Sequence, residues 1–233
     1  MNKEIHAWIF VKSDSISFPE RNRQLLNGKP LIAYSVEAAL KSRFIKKVFV
    51  STDSPDIAAV AEQYGAIVPF LRPQELCNNF VPVQKAWKHA VEWSRSQDEF
   101  PQMELMVSLP MTVPLRRTED IDAGIELYKQ GNADMVVAVT VSNRNPAYDM
   151  FFMDDDKNVD LVLPNADPFA RQRASATYDL TNMYFICSAE FAETEENFMR
   201  RRTKAVLVPR ERSFDIRNHI DLKLAEIIIR ETK

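Results

Sequence analysis

The stretch GKPLIAYSVEAALKSRFIKKVFVSTDSPDIAAVAEQYGAIVPFLRP, from Gly28 to Pro73, contains the pattern that decides the fold. Pro30 opens a helical run of apolar residues, because its fixed φ suits the first turn of a helix. The β-rich run KKVFVST follows, and SPD then signals the start of a second helix. That helix ends at Gly65, a residue type favoured just past a helix C-terminus, and AIVPFLRP is a short extended run. This order predicts parallel strands joined by helical crossovers.

The same alternation continues on both sides of this stretch. Ile5–Val11 has the composition of a first strand, and Thr118–Gln130 predicts a helix with a capping pattern formed by Thr118 and Asp122. The nearly continuous apolar run over 133–142 is typical of a central strand. We therefore predict the α/β fold class, with a doubly wound, mostly parallel sheet that binds its ligand at the carboxyl ends of the strands.

One region interrupts the alternation, from about residue 143 to residue 182. It is polar, contains the acidic turn DDDKN and has no long helical periodicity. We interpret it as a small β-arm insertion within a single domain that spans 1–233, and not as a separate domain. A strand, a short helix, a further strand and a closing helix are expected after it.

Composition limits the classes of function. The chain has 233 residues, 45% of them hydrophobic, and a formal net charge of −3, which argues against nucleic-acid binding because that needs a concentrated basic face. The four glycines form neither GxGxxG nor GxxxxGK[ST], so neither a dinucleotide-binding nor a P-loop motif is present. Cys77 and Cys187 lack a metal-ligand spacing. The first apolar run is too short for a signal segment or a membrane span, and we expect a cytoplasmic protein that contacts no membrane.

Three segments together resemble one family. They are PERNRQLLNGKPLIAYS, VFVSTDSPDIAAVAEQYGAIVPFLRP and PMTVPLRRTEDIDAGIEL, and the chain resembles the acylneuraminate (CMP-sialic acid synthetase-like) cytidylyltransferases. The resemblance implies a Rossmann-like fold of the nucleotide-diphospho-sugar transferase type. It also implies transfer of CMP from CTP to a 3-deoxy-2-keto nonulosonic acid of the sialic, legionaminic or pseudaminic type, with release of pyrophosphate, for surface glycan synthesis. Mg²⁺ as cofactor and a homodimer are implied as well.

The loop after the first predicted strand is the first place where the chain departs from the family. The family pattern is PARGGSKGIPRKN, and this chain has FVKSDSISFPERN. Asp14 replaces a glycine and Ile16 replaces the lysine. The resemblance assigns the triphosphate and nucleotide contacts of this loop to Lys12, which would also be catalytic, and to Ser13, Ser15 and Asn22. A solvated loop with no phosphate role is an equally open interpretation.

Further nucleotide and sugar contacts follow from the resemblance. Arg72 and Asn79 match positions near the nucleotide, and Arg116 in PMTVPLR matches a substrate position. RQRASATYDLTNM resembles the substrate motif RQDLPxxYRxNG, which assigns Arg171, Gln172 and Tyr178 to the sugar acid. A surface role for Arg116 and a dimer contact for the second motif are the alternatives.

The expected metal site is the second departure. The family has two aspartates spaced as DxD, where this chain has Asp215 and Arg217 in SFDIRNHIDL. Asp215 is the implied catalytic and metal-binding residue, whereas Asp221 is interpreted as a helix cap. Either Arg217 substitutes for a metal's charge, or Mg²⁺ binds through Asp215 alone, or catalysis is lost. The alternative function is therefore a catalytically impaired homologue that acts as a nucleotide- or sugar-binding partner or as a regulatory partner.

Overall fold

A computed structural model describes residues 3–13, 22, 24–164, 175–194 and 201–231. Six strands form the central sheet: β1 (Lys3–Phe10), β4 (Ile45–Ser51), β5 (Gln102–Ser108), β6 (Met135–Val141), β9 (Tyr178–Ser188) and β10 (Thr203–Leu207). Two short hairpins supply the remaining described strands: β2 (Leu25–Leu26) with β3 (Lys29–Pro30), and β7 (Phe151–Met153) with β8 (Val159–Leu161).

The strand order in the sheet is β10-β6-β9-β5-β1-β4. β1 pairs in parallel with both β4 and β5, and β10 pairs in parallel with β6. β9 is antiparallel to β5 and β6, between which it lies. The predicted α/β class with a mostly parallel sheet is confirmed. β6 is an interior strand, as its continuous apolar run predicted.

Helices cover the two faces of the sheet. They are α1 (Leu31–Leu40), α2 (Pro55–Gln63), α3 (Val83–Arg95), α4 (Thr118–Lys129), α5 (Ala189–Glu193) and α6 (His219–Glu231). The alternation of side chains along β1 creates two buried clusters: Ala7 and Ile9 belong to one, and Trp8 belongs to an aromatic cluster on the other face. Within the described ranges, no helix is long and apolar enough to cross a membrane.

The predicted capping pattern of α4 is wrong in detail. Asp120 accepts the Arg117 backbone N–H at 2.9 Å, which closes the first turn. Thr118 Oγ1 instead donates to the carbonyl of Ala38 at 3.0 Å, and Asp122 accepts from Ser42 Oγ. These side chains pack α4 against the end of α1, a tertiary contact that a local motif does not reveal.

The region predicted as an arm contains the β7–β8 hairpin. Phe151 pairs with Leu161 and Met153 with Val159. β9 already begins at Tyr178, so the central sheet resumes before the expected end of the insertion. Residues 165–174 lie outside the described part of the chain, and the single-domain boundary 1–233 stays a prediction.

Candidate functional site

The carboxyl ends of the parallel strands bring several loops to one edge of the sheet. β1, β4 and β5 are neighbours and end at Phe10, Ser51 and Ser108. The loop 208–218 follows β10 and runs across this same edge, because Val208 N–H donates to Val139 and Ile216 N–H donates to Thr112. Ligands of open α/β sheets bind at this edge.

Asp53, directly after β4, fixes the start of the loop that follows β1. Its Oδ1 accepts the Ser13 backbone N–H at 2.7 Å, and its Oδ2 accepts the Ser13 hydroxyl at 2.5 Å. Asn22, from the far end of the same loop, donates its Nδ2 to the carbonyl of Lys12. The loop is therefore fixed at both ends. The sequence analysis missed Asp53, although its position between a buried strand and the Ser54 cap of α2 was a usable signal.

Lys12 and Arg72 place two cations beside this loop. Lys12 Nζ donates to the carbonyl of Asn78 at 2.8 Å. Burial, followed by the neighbouring Arg72 guanidinium, lowers the pKa of Lys12 below its ordinary value. A lysine in this position carries its charge close to the end of β1, and its triphosphate role stays a prediction.

Arg72 is only 4% exposed and stabilises the ends of β1 and β4. Its Nε donates to Ser51 Oγ at 2.9 Å, and its Nη2 donates to the carbonyls of Val11, at 3.3 Å, and Ser51. Burial lowers the pKa of Arg72 from its ordinary value. The guanidinium therefore positions the backbone from which the Lys12 loop leaves the sheet.

Arg116 is the second buried guanidinium at this edge. Its Nε donates to the carbonyl of Val113 at 3.0 Å and its Nη2 donates to that of Pro110, whereas its buried Nη1 has no partner among the residues described. Burial lowers the pKa of Arg116 to about 9, while Asp215 and Asp120 act in the opposite direction. The side chain therefore shapes the loop after β5 and stays cationic at neutral pH.

Asp215 lies between a strand and an exposed arginine. Its Oδ2 accepts Asn182 Nδ2 at 2.8 Å and Arg217 Nε at 2.9 Å. Asp221 is not the helix cap that the sequence suggested: Asn218 Oδ1 accepts the backbone N–H groups of Ile220 and Asp221, and Asp221 Oδ2 accepts that of Arg217 at 2.8 Å. Asn218 thus caps α6, and Asp221 closes its first turn.

The arrangement around Asp215 fits a resident divalent cation poorly. One oxygen already accepts two N–H donors, and the second carboxylate of the expected DxD pair is Arg217. Across the described ranges, no group of three or more His, Cys, Asp or Glu residues could hold a metal ion.

A second ion pair anchors the 208–218 loop. Arg212 donates Nη2 to Asp120 Oδ1 at 2.8 Å and Nε to Oδ2 at 3.1 Å, and Asp120 is nearly fully buried. Sequence reasoning missed this pair, because the two residues are 92 positions apart. The ion pair fixes the 208–218 loop, which contains Asp215, relative to α4.

The structure places the site residues that the sequence predicted in different surroundings. Tyr178 is half exposed at the start of β9, opposite Val141, and Asn79 is exposed in the turn before α3. The structure brings Lys12, Ser13, Asn22 and Arg72 together. The residues that lie outside the described ranges are Ser15, Arg171 and Gln172.

The chain is similar to known proteins both in sequence and in structure. The model of a family described as cytidylyltransferase matches residues 9–201. The chain is 27% identical over 229 residues to post-translational flagellin modification protein B of Campylobacter coli, covering 98% of this chain and 96% of that protein. It is 32% identical over 225 residues to the CMP-N,N'-diacetyllegionaminic acid synthase of Legionella pneumophila, covering 95% and 94%. Among solved structures, a CMP:2-keto-3-deoxy-manno-octonic acid synthetase complexed with CTP superposes with a TM-score of 0.71 at 13% identity, with 100% of both chains covered.

Proposed function

Because this chain belongs to the cytidylyltransferase family and is a nucleotidyltransferase, we propose that it transfers CMP from CTP to a 3-deoxy-2-keto nonulosonic acid and releases pyrophosphate. The observation that carries the proposal is the 32% identity, along almost the whole of both chains, to a CMP-N,N'-diacetyllegionaminic acid synthase. The sugar class follows from that relative. We propose an acid of the sialic, legionaminic or pseudaminic type, destined for surface glycans.

The proposed reaction is an in-line attack of the sugar's anomeric hydroxyl on the α-phosphorus of CTP, in which the hydroxyl loses its proton to solvent and pyrophosphate is the leaving group. Such a displacement depends on positioning and on positive charge near the phosphate oxygens. Lys12 is the proposed catalytic cation, because its Nζ lies at the end of β1 beside the loop that Asp53 fixes. The nucleotide contacts proposed with it are Ser15, Asn22, Arg72 and Asn79, and also Ser13, which would have to release Asp53 in order to donate to a phosphate.

The sugar acid is proposed to bind on the other side of the same crevice. Arg116 is buried in the loop after β5, and its charge supports a carboxylate or phosphate nearby. Arg171, Gln172 and Tyr178 remain the further proposed contacts. Asp215 is the proposed catalytic carboxylate and lies next to that loop through the Ile216–Thr112 hydrogen bond of 2.8 Å.

A divalent ion enters this proposal together with the nucleotide. Mg²⁺ commonly binds substrate phosphates and keeps several waters, with one or two carboxylates from the protein. Asp215 Oδ1 is the carboxylate oxygen that has no hydrogen-bond donor within the described residues. No step of the proposed mechanism runs through a metal ion held by the protein alone.

Homodimerisation and a cytoplasmic location complete the proposal. The β7–β8 hairpin exposes more than half of the side chains of Phe151, Phe152, Met153 and Val159. Contiguous exposed apolar groups of this kind mark interaction surfaces. Two free cysteines, Cys77 and Cys187, are consistent with a reducing compartment.

A catalytically impaired homologue is the second candidate, and the ion pair between Arg217 and Asp215 is the observation that favours it. Pyrophosphate release from CTP, assayed with N-acetylneuraminic, legionaminic and pseudaminic acids, separates the two candidates. We expect release with at least one acid and formation of the CMP-sugar. Binding of CTP without turnover of any acid would support the impaired homologue.

A further inference from the structure

The carboxylate of Asp215 is already committed to nitrogen donors. Its Oδ2 accepts from Asn182 at 2.8 Å and from Arg217 at 2.9 Å. These donors occupy the lone pairs that a metal ion would need on this oxygen. The side chain of Asp215 is 16% exposed, which leaves little room for a hydrated ion to approach.

The charges around Asp215 balance. Three carboxylates (Asp215, Asp120 and Asp221) stand against three guanidinium groups (Arg217, Arg116 and Arg212). Protein sites for Mg²⁺ and Ca²⁺ use carboxylate oxygens to offset the charge of the ion, and this centre has no excess of negative charge to do so.

The geometry of Arg217 presents a fork of donors. Its Nε is used by Asp215, and its backbone N–H is held by Asp221 at the start of α6. Its side chain is 69% exposed, and in the described part of the chain no acceptor is bonded to its two Nη atoms. A guanidinium fixed through Nε and open at both Nη atoms can bind two oxygens of one phosphate.

Arg217 and Lys12 lie at the same edge of the sheet. The 215–217 segment is bonded to Thr112, in the loop after β5, and β5 pairs with β1, which Lys12 follows. Arg217 and Lys12 therefore stand on the two sides of the loop after β5, at the same edge of the sheet.

We propose that Arg217, oriented by Asp215, is a phosphate-binding residue of the CTP site, and that it takes the place of a divalent cation held by the protein. This inference rests on the proposed function for the identity of the ligand. It replaces the catalytic and Mg²⁺-binding roles proposed above for Asp215 with that of a positioning residue for Arg217.

The first experiment measures Mn²⁺ binding by electron paramagnetic resonance, with no nucleotide present. We expect no binding to the wild-type protein at millimolar Mn²⁺, and binding to the Arg217→Asp variant, which creates two carboxylates two residues apart. Stoichiometric binding to the wild-type protein that is lost in Asp215→Asn would overturn the inference. If neither protein binds Mn²⁺, Arg217 is not what excludes the metal. The inference that Arg217 takes the place of a divalent cation would then be overturned.

The second experiment measures binding of inorganic pyrophosphate and of CTP by calorimetry, with a chelator and then with Mg²⁺. Arg217→Gln is expected to weaken binding of both ligands by about tenfold or more, because it removes charge-assisted hydrogen bonds. Arg217→Lys keeps the charge but loses the paired Nη donors of the guanidinium. Its affinity for both ligands should lie between those of the wild-type protein and Arg217→Gln. The matched control is Arg230→Gln, which removes the same charge from the far end of α6, about 17 Å along the helix.

The outcomes separate this inference from the proposed function. Unchanged pyrophosphate and CTP affinity in Arg217→Gln, in a folded sample, would overturn the inference while CMP-sugar synthesis could still be observed. An Arg217-dependent loss of pyrophosphate affinity, with no cytosine preference and no CMP-sugar formed, would support the anion site and refute the proposed function. A loss confined to the sugar acid would show that Arg217 binds the sugar carboxylate, and would overturn the phosphate assignment.

Discussion

Asp53 binds Ser13 through both oxygens of its carboxylate, one to the backbone N–H at 2.7 Å and the other to the hydroxyl at 2.5 Å. The two residues are 40 positions apart and follow neighbouring parallel strands. A carboxylate that accepts two hydrogen bonds from one residue fixes both the position and the rotamer of that residue. Asp53 therefore determines where the loop containing Lys12 leaves the sheet.

Removal of this carboxylate should reduce activity. Each hydrogen bond to a charged group contributes about 1.5–3 kcal/mol, and the loop depends on two of them. We expect Asp53→Ala to lower kcat/KM for CTP by about tenfold or more, since misplacement of a positioning group lowers the rate. Asp53→Asn retains an acceptor oxygen, and its kcat/KM should lie between those of the wild-type protein and Asp53→Ala.

The matched control is Asp98→Asn, which removes an exposed carboxylate after α3. It should leave kcat/KM unchanged. Wild-type kinetics in Asp53→Ala, with an unchanged thermal midpoint, would show that the contact with Ser13 does not position the loop.

The alternation of helix and strand was enough to predict the sheet, because amphipathic helices between apolar strands have few other ways to bury their faces. The resemblance assigned both Lys12 and Arg72 to the nucleotide site, and in the structure the two side chains lie close enough for the charge of Arg72 to lower the pKa of Lys12. The direction of β9 was not predicted: an interior strand is apolar on both sides whether it is parallel or antiparallel.

The contacts that define the site depend on tertiary structure. Arg72 matched a nucleotide position in the sequence, yet its guanidinium donates to the backbone carbonyls of Val11 and Ser51. Asp215 was placed beside Arg217 by spacing, but its partner Asn182 comes from β9, 33 residues earlier. A sequence shows which polar side chains are available and not which acceptor each one reaches.

His6 is expected to make stability fall in acid. It is fully buried against the Phe49 ring, with centroids 5.2 Å apart, and faces Glu4 at 3.5 Å. Burial lowers the pKa of His6 below 6.5, Glu4 opposes this shift, and Lys47 adds to it. Between the lowered native pKa and 6.5 the unfolded chain binds more protons, so the free energy of unfolding decreases as pH falls through that window.

The measurement is urea denaturation at about pH 7.5 and about pH 5.5, comparing the wild-type protein with His6→Phe. The variant should lose less stability on acidification, with a difference of at most about 1.4 kcal/mol per pH unit. His219→Gln replaces an exposed histidine and should behave as the wild-type protein does. Equal losses in the wild-type protein and His6→Phe would refute the assignment to His6.

Gly124 allows α4 to pack closely on β9. A Cβ at this position would lie 2.7 Å from the Tyr184 ring and 2.7 Å from Ile186 Cδ1, and both side chains are fully buried on β9. Overpacking costs about 1–3 kcal/mol, and exceeds the gain of about 1 kcal/mol that alanine brings to a helix. We expect Gly124→Ala to lower the thermal midpoint by a few degrees. Glu119→Ala, exposed on the same helix, should change it little, and a stabilised Gly124→Ala protein would contradict the observed packing.

Phe152 tests the proposed homodimer. Its side chain is 66% exposed on the β7–β8 hairpin, where it pairs with Asp160 and neighbours the exposed Phe151 and Met153. If this surface is buried between two copies, Phe152→Glu places a charge in an apolar contact, and the dimer dissociation constant should rise about thirtyfold or more. Light scattering after size-exclusion chromatography over a range of concentrations measures this dissociation constant.

The control is Asp156→Ala, in the turn of the same hairpin, which should leave the dimer intact. A wild-type protein that is monomeric at every concentration, or a Phe152→Glu dimer of unchanged affinity, would exclude the hairpin as the dimer contact.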